Sequence, residues 1–366
     1  MEIRIFRLRL PLRSAFRIAH GSYAFRENLF LELREGGASG MGEAPIVPYY
    51  GLSIDEVEAD LRRGLAGFLD ALPRGSSAPG GGFGPAAAAS ARFAHPVGAA
   101  AFQAAFLSLG AALEGKSLAS FLGLETAPAQ ADPAAAASPP TSYTIAYDDD
   151  PEAMLAAARA SGFRRLKVKA GISGDLERIR RLREGLPEAL IRVDANQGWS
   201  LEEAPGKLAE LERLGVELVE EPVSGSPSDY ERLAAGTSIP ILLDESARSL
   251  EDAKRYAHGA PSLAGLVVKT AKSGGPAASL ALVRAARELG LKVMLSSMVE
   301  TSLGVGSALP LAPLCAWCDL DAPLLLAEDP FSGLSYEDEV PRLAPGGVRP
   351  GAELAARVAA LRPLFA

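Results

Sequence analysis

The chain has 366 residues, more than one hydrophobic core usually fills, so a large domain with a smaller companion is expected. Hydrophobic residues make up 48%, charged residues 22%, and the net charge is −8. That composition is globular, and no lysine or arginine stripe could track a phosphate backbone, so nucleic acid is not expected as a partner. No apolar run approaches the ~20 residues of a membrane span. The N-terminal MEIRIFRLRLPLR alternates like a strand and lacks the apolar core of a signal peptide, which places the protein in the cytoplasm with no membrane partner.

In chain order, the first sixty residues read as an antiparallel unit: EIRIFRLRL, then ENLFLELREGGASGMGEA with a glycine-rich turn, then the helical SIDEVEADLRRGLAGFLDAL. Residues 75–90 and 125–140 are rich in Gly, Pro and Ala and poor in charge, which predicts loop or linker. Between them VGAAAFQAAFLSLGAALEG predicts a helix. From residue 142 short β-rich runs alternate with helices: SYTIAY, RLKVKAG, LIRVDANQ, ELVEEPV, PILLDESA, LAGLVVKT, LKVMLSSMVE and CAWCDLD. Eight such strands with intervening helices predict a parallel (β/α) barrel. The two cysteines of CAWC, Cys315 and Cys318, read as reduced, packed thiols. His20, His95 and His258 are too scattered to complete a zinc site with them.

Where each apolar strand meets its polar end stand Lys169, Asp194, Glu220, Asp244, Lys269, Ser297 and Asp319, spaced 22 to 28 residues apart. A closed barrel gathers the carboxyl ends of its strands on one face, so these residues should surround a single cavity. In RLKVKAG the period of two puts Lys167 and Lys169 on one face and Leu166 and Val168 on the other. Buried charges need opposite partners or a metal, and this set supplies both signs. Asp194, Glu220 and Asp244 offer only oxygen, which favours Mg²⁺, with Mn²⁺ as the alternative. Lysines flank them on both sides. Removing a proton beside a carboxylate creates an enediolate, which a divalent cation would stabilise while a lysine of lowered pKa served as base.

KVK on the second barrel strand, DANQGW on the third, EEP on the fourth, DES on the fifth and VKTAKSGG on the sixth resemble the muconate-lactonizing subgroup of the enolase superfamily, over nearly the whole chain. The resemblance implies a (β/α)7β TIM-like barrel with an N-terminal α+β capping domain. The cap would span residues 1–125 and the barrel 126–325, with 326–366 returning to the cap. It implies one Mg²⁺ per subunit on Asp194, Glu220 and Asp244, Glu221 being the alternate if the register slips by one. By the same match Lys169 and Lys269 become acid/base groups on opposite faces of the substrate carbon, Lys167 helps hold its carboxylate, and Lys272 aligns with no site residue.

Asp319 and Asp321, two apart in CDLDAPLLL, resemble the Asp-x-Asp signature of dipeptide epimerases of the L-Ala-D/L-Glu type, where both carboxylates bind the substrate ammonium. Thr144 and Ser297 would then contact the dipeptide backbone. The implied activity is a Mg²⁺-dependent isomerase, an epimerase performing 1,1-proton transfer at the α-carbon of the C-terminal residue of a dipeptide. An o-succinylbenzoate synthase or a muconate cycloisomerase-like enzyme is the alternative. Relatives are often oligomers, so a homo-oligomer is expected. One departure concerns specificity: Gly21 stands about where Ala-Glu-specific members carry an arginine. Arg17 and Arg26 remain as substitutes, Tyr49 and Tyr50 as candidate walls, and small or apolar side chains become at least as plausible.

Overall fold

The protein is described here by a computed structural model covering residues 1–18, 21–71, 91–124 and 138–365. Residues 75–90, and 125–137 of the second linker, lie outside that description. The chain opens with three antiparallel strands, β1 (Glu2–Ile18), β2 (Gly21–Glu35) and β3 (Ala38–Pro45), in the order β1-β2-β3. One face buries Ile3, Leu29, Leu31 and Leu33, and the other buries Leu8, Leu10 and Phe30.

Helix Ile54–Asp70 and helix Pro96–Leu113 cover this sheet. The sheet meets the second helix at very short range, because Gly40 and Gly42 of β3 lie directly on the backbone of Ala105 and Ala101. Phe102 fixes the other side, packing edge-on to Phe68 with ring centroids 5.0 Å apart. Contrary to the expectation that no run suits a bilayer, Pro96–Leu113 is long and apolar enough by composition to cross one. Its composition has another cause: it is buried on nearly every side between cap and barrel, so it carries no polar face.

Eight parallel strands then form one sheet in strict chain order: β4 (Tyr143–Ile145), β5 (Arg165–Lys169), β6 (Leu190–Asp194), β7 (Leu218–Glu220), β8 (Ile241–Leu243), β9 (Gly265–Lys269), β10 (Lys292–Ser296) and β11 (Trp317–Asp319). A parallel bridge between Thr141 and Cys318 joins the first and last strands, so the sheet closes into a barrel. Helices follow each strand up to β10, as βα alternation requires.

Strand periodicity sorts the side chains. Leu166, Val168, Ile191, Val193, Val268 and Leu295 face the surrounding helices within the main core. Leu218, Leu242, Val267 and Met294 form a separate cluster inside the barrel. Each of these four stands two residues before a polar strand end, so that end also points inward. After β11 the chain crosses back to the cap: Leu326 bridges Leu12, Phe365 bridges Ile3, and Phe331, Leu354 and Val358 pack with Leu8, Leu10 and Phe30.

Cys315 and Cys318 are free thiols and buried, and burial pushes the Cys315 thiol up to about 12. The close approach of sheet and helix sets a test of the cap. A Cβ at position 42 would overlap the carbonyl oxygen of Ala101. Gly42→Ala is therefore expected to cost ~1–3 kcal/mol and lower the thermal midpoint by a few degrees, measured by circular dichroism.

Candidate active site

Strand register brings the predicted residues together. Lys169, Asp194 and Glu220 stand side by side on β5, β6 and β7, while Lys269, Ser296 and Asp319 stand side by side on β9, β10 and β11. Asp244 follows the last residue of β8. Asp194, Glu220 and Asp244 are completely buried. The register corrects one expectation: Ser296, not Ser297, holds the inward place on β10, and its hydroxyl donates to Asp319 Oδ2 at 2.8 Å. Ser296 is the residue two after the inward Met294, so the period of two could have found it. Ser297 still lines the mouth of the cavity.

The lysines and carboxylates stand in a ring of strand ends and pair in two groups, Lys167 and Lys169 with Asp194, Glu220 and Asp319, and Lys269 and Lys272 with Asp244. Lys167 Nζ lies 3.1 Å from Asp194 Oδ2, 2.7 Å from Glu220 Oε2 and 2.8 Å from Asp319 Oδ2. Lys169 Nζ meets Asp194 Oδ2 at 2.6 Å, and Lys269 Nζ meets Asp244 Oδ2 at 2.6 Å. Lys272, which the sequence leaves without a role, is buried behind the ring. It donates to the Asp244 carbonyl at 2.6 Å and forms an ion pair with its carboxylate.

Burial alone would raise the Asp194 and Asp244 carboxyls, but the lysines outweigh it and hold both below the usual range. Burial alone would lower the Lys167 ammonium; Asp194, Asp319 and Glu220 outweigh it and hold it well above its usual value. Glu220 goes the other way, pushed up to about 8 by burial and by the charge of Asp194.

Glu221 is excluded from the ring by its backbone. Its φ of 44° turns the side chain outward, where it accepts from Gln197 Nε2 at 2.6 Å and from the Asp244 amide at 2.6 Å. Sequence reasoning also missed Asn196 and Glu245. Asn196 Nδ2 donates to Glu245 Oε1 at 3.1 Å, while Asn196 Oδ1 and Glu245 Oε2 are buried without a hydrogen-bond partner in the protein.

Above the ring is a cavity of about 50 Å³. Lys167, Lys169, Lys269, Asp319, Asp321 and Thr144 line it from the barrel. The cap contributes Phe16, Ile46, Val47 and Arg26, the last with its guanidinium 3.7 Å over the Tyr23 ring. Arg17 points elsewhere, to Asp149 at 3.1 Å, so only Arg26 of the two arginines enters the cavity. Gly21 is exposed, Tyr50 lies under Arg248 at 4.9 Å, and the Tyr49 side chain lies outside the description. Asp321 accepts from the Thr144 amide at 2.6 Å and from its hydroxyl at 3.3 Å. Burial and the charge of Asp319 push Asp321 up to about 7.

A second carboxylate pair ties cap to barrel. Glu43 of β3 accepts from Asn28 Nδ2 at 2.7 Å, Thr301 Oγ1 at 2.6 Å and the Gly304 amide at 3.2 Å, so it caps the helix Ser302–Ala308. Glu300 accepts from the Met298 amide at 2.8 Å and presses so closely on Gly304 that a side chain there would overlap it. Met298 lines the catalytic cavity, so this pair braces its wall.

The residues fit a hard divalent cation. Glu220 is fully buried, no donor hydrogen-bonds to its Oε1, and the neighbouring Asp194 and Asp244 are oxygen donors. As placed, no three His, Cys, Asp or Glu side chains among the described residues converge on one point, because the lysines separate the carboxylates.

A parallel barrel with paired lysines and a buried carboxylate ring at the carboxyl ends of its strands is the framework of an enzyme that moves protons next to an anionic centre. The chain belongs to the family described as "Enolase C-terminal domain-like", whose model matches residues 151–345. It is 29% identical to an L-Ala-D/L-amino acid epimerase of Flavobacterium johnsoniae, over 93% of this chain and 96% of that protein. Among solved structures it is similar to the substrate-liganded L-Ala-D/L-Glu epimerase of Bacillus subtilis, with a TM-score of 0.82 and 28% identity over 96% of this chain and 97% of that one. It is also similar to a dipeptide epimerase of Cytophaga hutchinsonii complexed with Mg and D-Ala-L-Val, with a TM-score of 0.82 and 26% identity over 98% of each chain.

The Glu43–Glu300 pair generates a pH test. Burial pushes Glu43 up to about 7; burial and the charge of Glu43 push Glu300 up to about 8. A folded-state value above the unfolded one means stability present in acid and lost as pH rises through the folded value. Glu300→Gln is therefore expected to gain thermal midpoint relative to the unmodified protein as pH rises from 5 to 9, measured by scanning fluorimetry; a constant difference across that range contradicts the assignment.

Proposed function

We propose that this protein is a Mg²⁺-dependent dipeptide epimerase acting at the α-carbon of the C-terminal residue. The observation that carries this is the placement of Lys169 and Lys269. They stand on β5 and β9, four strands apart in a barrel of eight, and line one cavity from opposite sides. A carbon held between them can lose a proton to one and gain a proton from the other, which inverts its configuration.

The remaining residues take roles that follow from charge. Asp194, Glu220 and Asp244 would hold the metal, and Lys167 would contact the substrate carboxylate. When bound, Mg²⁺ supplies the positive charge that offsets the negative charge developing on that carboxylate. Asp319 and Asp321 bring two buried acids to one end of the cavity, and the raised Asp321 carboxyl marks a place that favours an added cation. The ammonium of a free dipeptide supplies one. Thr144 orients Asp321 through two hydrogen bonds and, with Ser297, faces the peptide backbone. Phe16, Ile46 and Val47 close the cavity with apolar surface, which keeps water from reprotonating the carbon at random.

In D₂O with Mg²⁺, an Ala-X and X-Ala library of L,L-dipeptides should show α-deuteration and epimer formation at the C-terminal residue by NMR; absence of both across the library sinks the proposal. Lys169→Ala and Lys269→Ala should each lower epimerisation by about 10³-fold. Chelation with EDTA should abolish turnover, with recovery on adding Mg²⁺. Asp321→Asn separates the rival: a β-elimination on a substrate without an amino group would be indifferent to it, whereas dipeptide turnover should fall at least about tenfold.

A further inference from the structure

A second cavity, about 620 Å³, lies against the catalytic one and has no part in the chemistry described so far. It opens where the pairing of β1 with β2 breaks. Pro11 pairs with Phe25 and Phe16 with Tyr23, so Leu12 to Ala15 have no regular partners and swing over the barrel. The opposite wall is Tyr143 to Asp148 with one face of the helix Pro151–Ser161. Phe16, Thr144 and Leu325 border both cavities.

We propose that this groove receives the side chain of the substrate's N-terminal residue, and that it selects a large apolar one. The inference rests on the assignment of Asp319 and Asp321 to the substrate ammonium. Asp321 is bonded to the amide and hydroxyl of Thr144, and Tyr143 and Ile145 on either side of Thr144 line the groove. A carbon whose ammonium sits on Asp321 therefore lies against the wall that the two cavities share. The side chain on that carbon has the groove as its open space.

The chemistry of the walls sets the ligand class. Phe16, Leu325 and the rings of Tyr143 and Tyr147 give the groove its accessible apolar surface, over the buried Leu12, Ile145 and Met154. The charges at the rim have protein partners: Arg17 pairs with Asp149 at 3.1 Å, Arg13 donates to the Leu324 carbonyl at 2.9 Å, and Asp148 accepts from the Asp150 amide at 2.9 Å. A charged side chain would have to give up water on entering, whereas an apolar one gains by burial. Ala153 and Ala157, four apart on one helix face, keep the space open.

The experiment holds the C-terminal residue fixed and varies the N-terminal one through Gly, Ala, Leu and Phe, reading α-deuteration rates with the Mg²⁺-loaded protein. The kcat/KM for Leu or Phe should exceed that for Gly by about tenfold or more. In Ala157→Phe, which fills the groove from an exposed helix position, that ratio should collapse towards one. Ala153→Leu serves as an independent second variant if the first is unstable. A ratio unchanged in a folded variant, or a native protein that turns over all four equally, overturns the subsite and leaves the epimerase reading intact. No deuteration of any dipeptide overturns both.

Discussion

The cost of placing charge inside a barrel governs this structure. Lys167, Lys169, Lys269 and Lys272 are held against Asp194, Glu220, Asp244 and Asp319 in a space almost without water. A single unpaired ion there would cost several kcal/mol, and removing one partner from a buried pair typically costs ~3–5 kcal/mol. Lys167 shows the dependence most clearly, since three carboxylates from three different strands hold its charge in place. The barrel's closure at Thr141 and Cys318 brings the last of those strands round to the first, so ring and fold require each other.

The cap completes the electrostatics. Apolar residues from β1 and the β3 turn sit directly over the lysines, lowering the local dielectric and strengthening every interaction beneath. Attachment is itself polar and buried: Glu43 reaches from β3 to the start of a barrel helix, and Glu300 rises from the barrel beside it. The returning C-terminal segment locks the arrangement by packing on the outer face of β1 and β2. At Leu12 to Ala15 the regular pairing of β1 with β2 breaks, and the large groove opens there.

Much of this was legible in the sequence because strands have a period of two and barrels a fixed spacing. Lys167 and Lys169 flanking Val168 already implied a shared inward face, and Asp194 and Glu220 took the register expected of them. The period of two from the inward Leu218 already favoured Glu220 over its neighbour Glu221, and the left-handed backbone at Glu221 agrees with it. Ser296, two residues after the inward Met294, is legible by the same period, although the adjacent Ser297 was expected there. Legibility failed where a loop decides the outcome. Asn196 and Glu245 meet from different strand ends, Glu43 and Glu300 from different parts of the fold, and Lys272 reaches Asp244 through a turn. Such pairings depend on three-dimensional convergence that no spacing encodes. Helix Pro96–Leu113 is the reverse case, since its composition suggests a bilayer and only its packing shows that protein surrounds it.

The central claim is that two lysines act from opposite sides of one carbon. It is tested most directly by following α-hydrogen exchange of each epimer separately in D₂O with the two single-lysine variants. Lys269→Ala should exchange the α-hydrogen of one epimer without converting it, and Lys169→Ala should do the same for the other epimer alone. Exchange of the same epimer by both variants, or interconversion of epimers by either as fast as its exchange, would contradict the account.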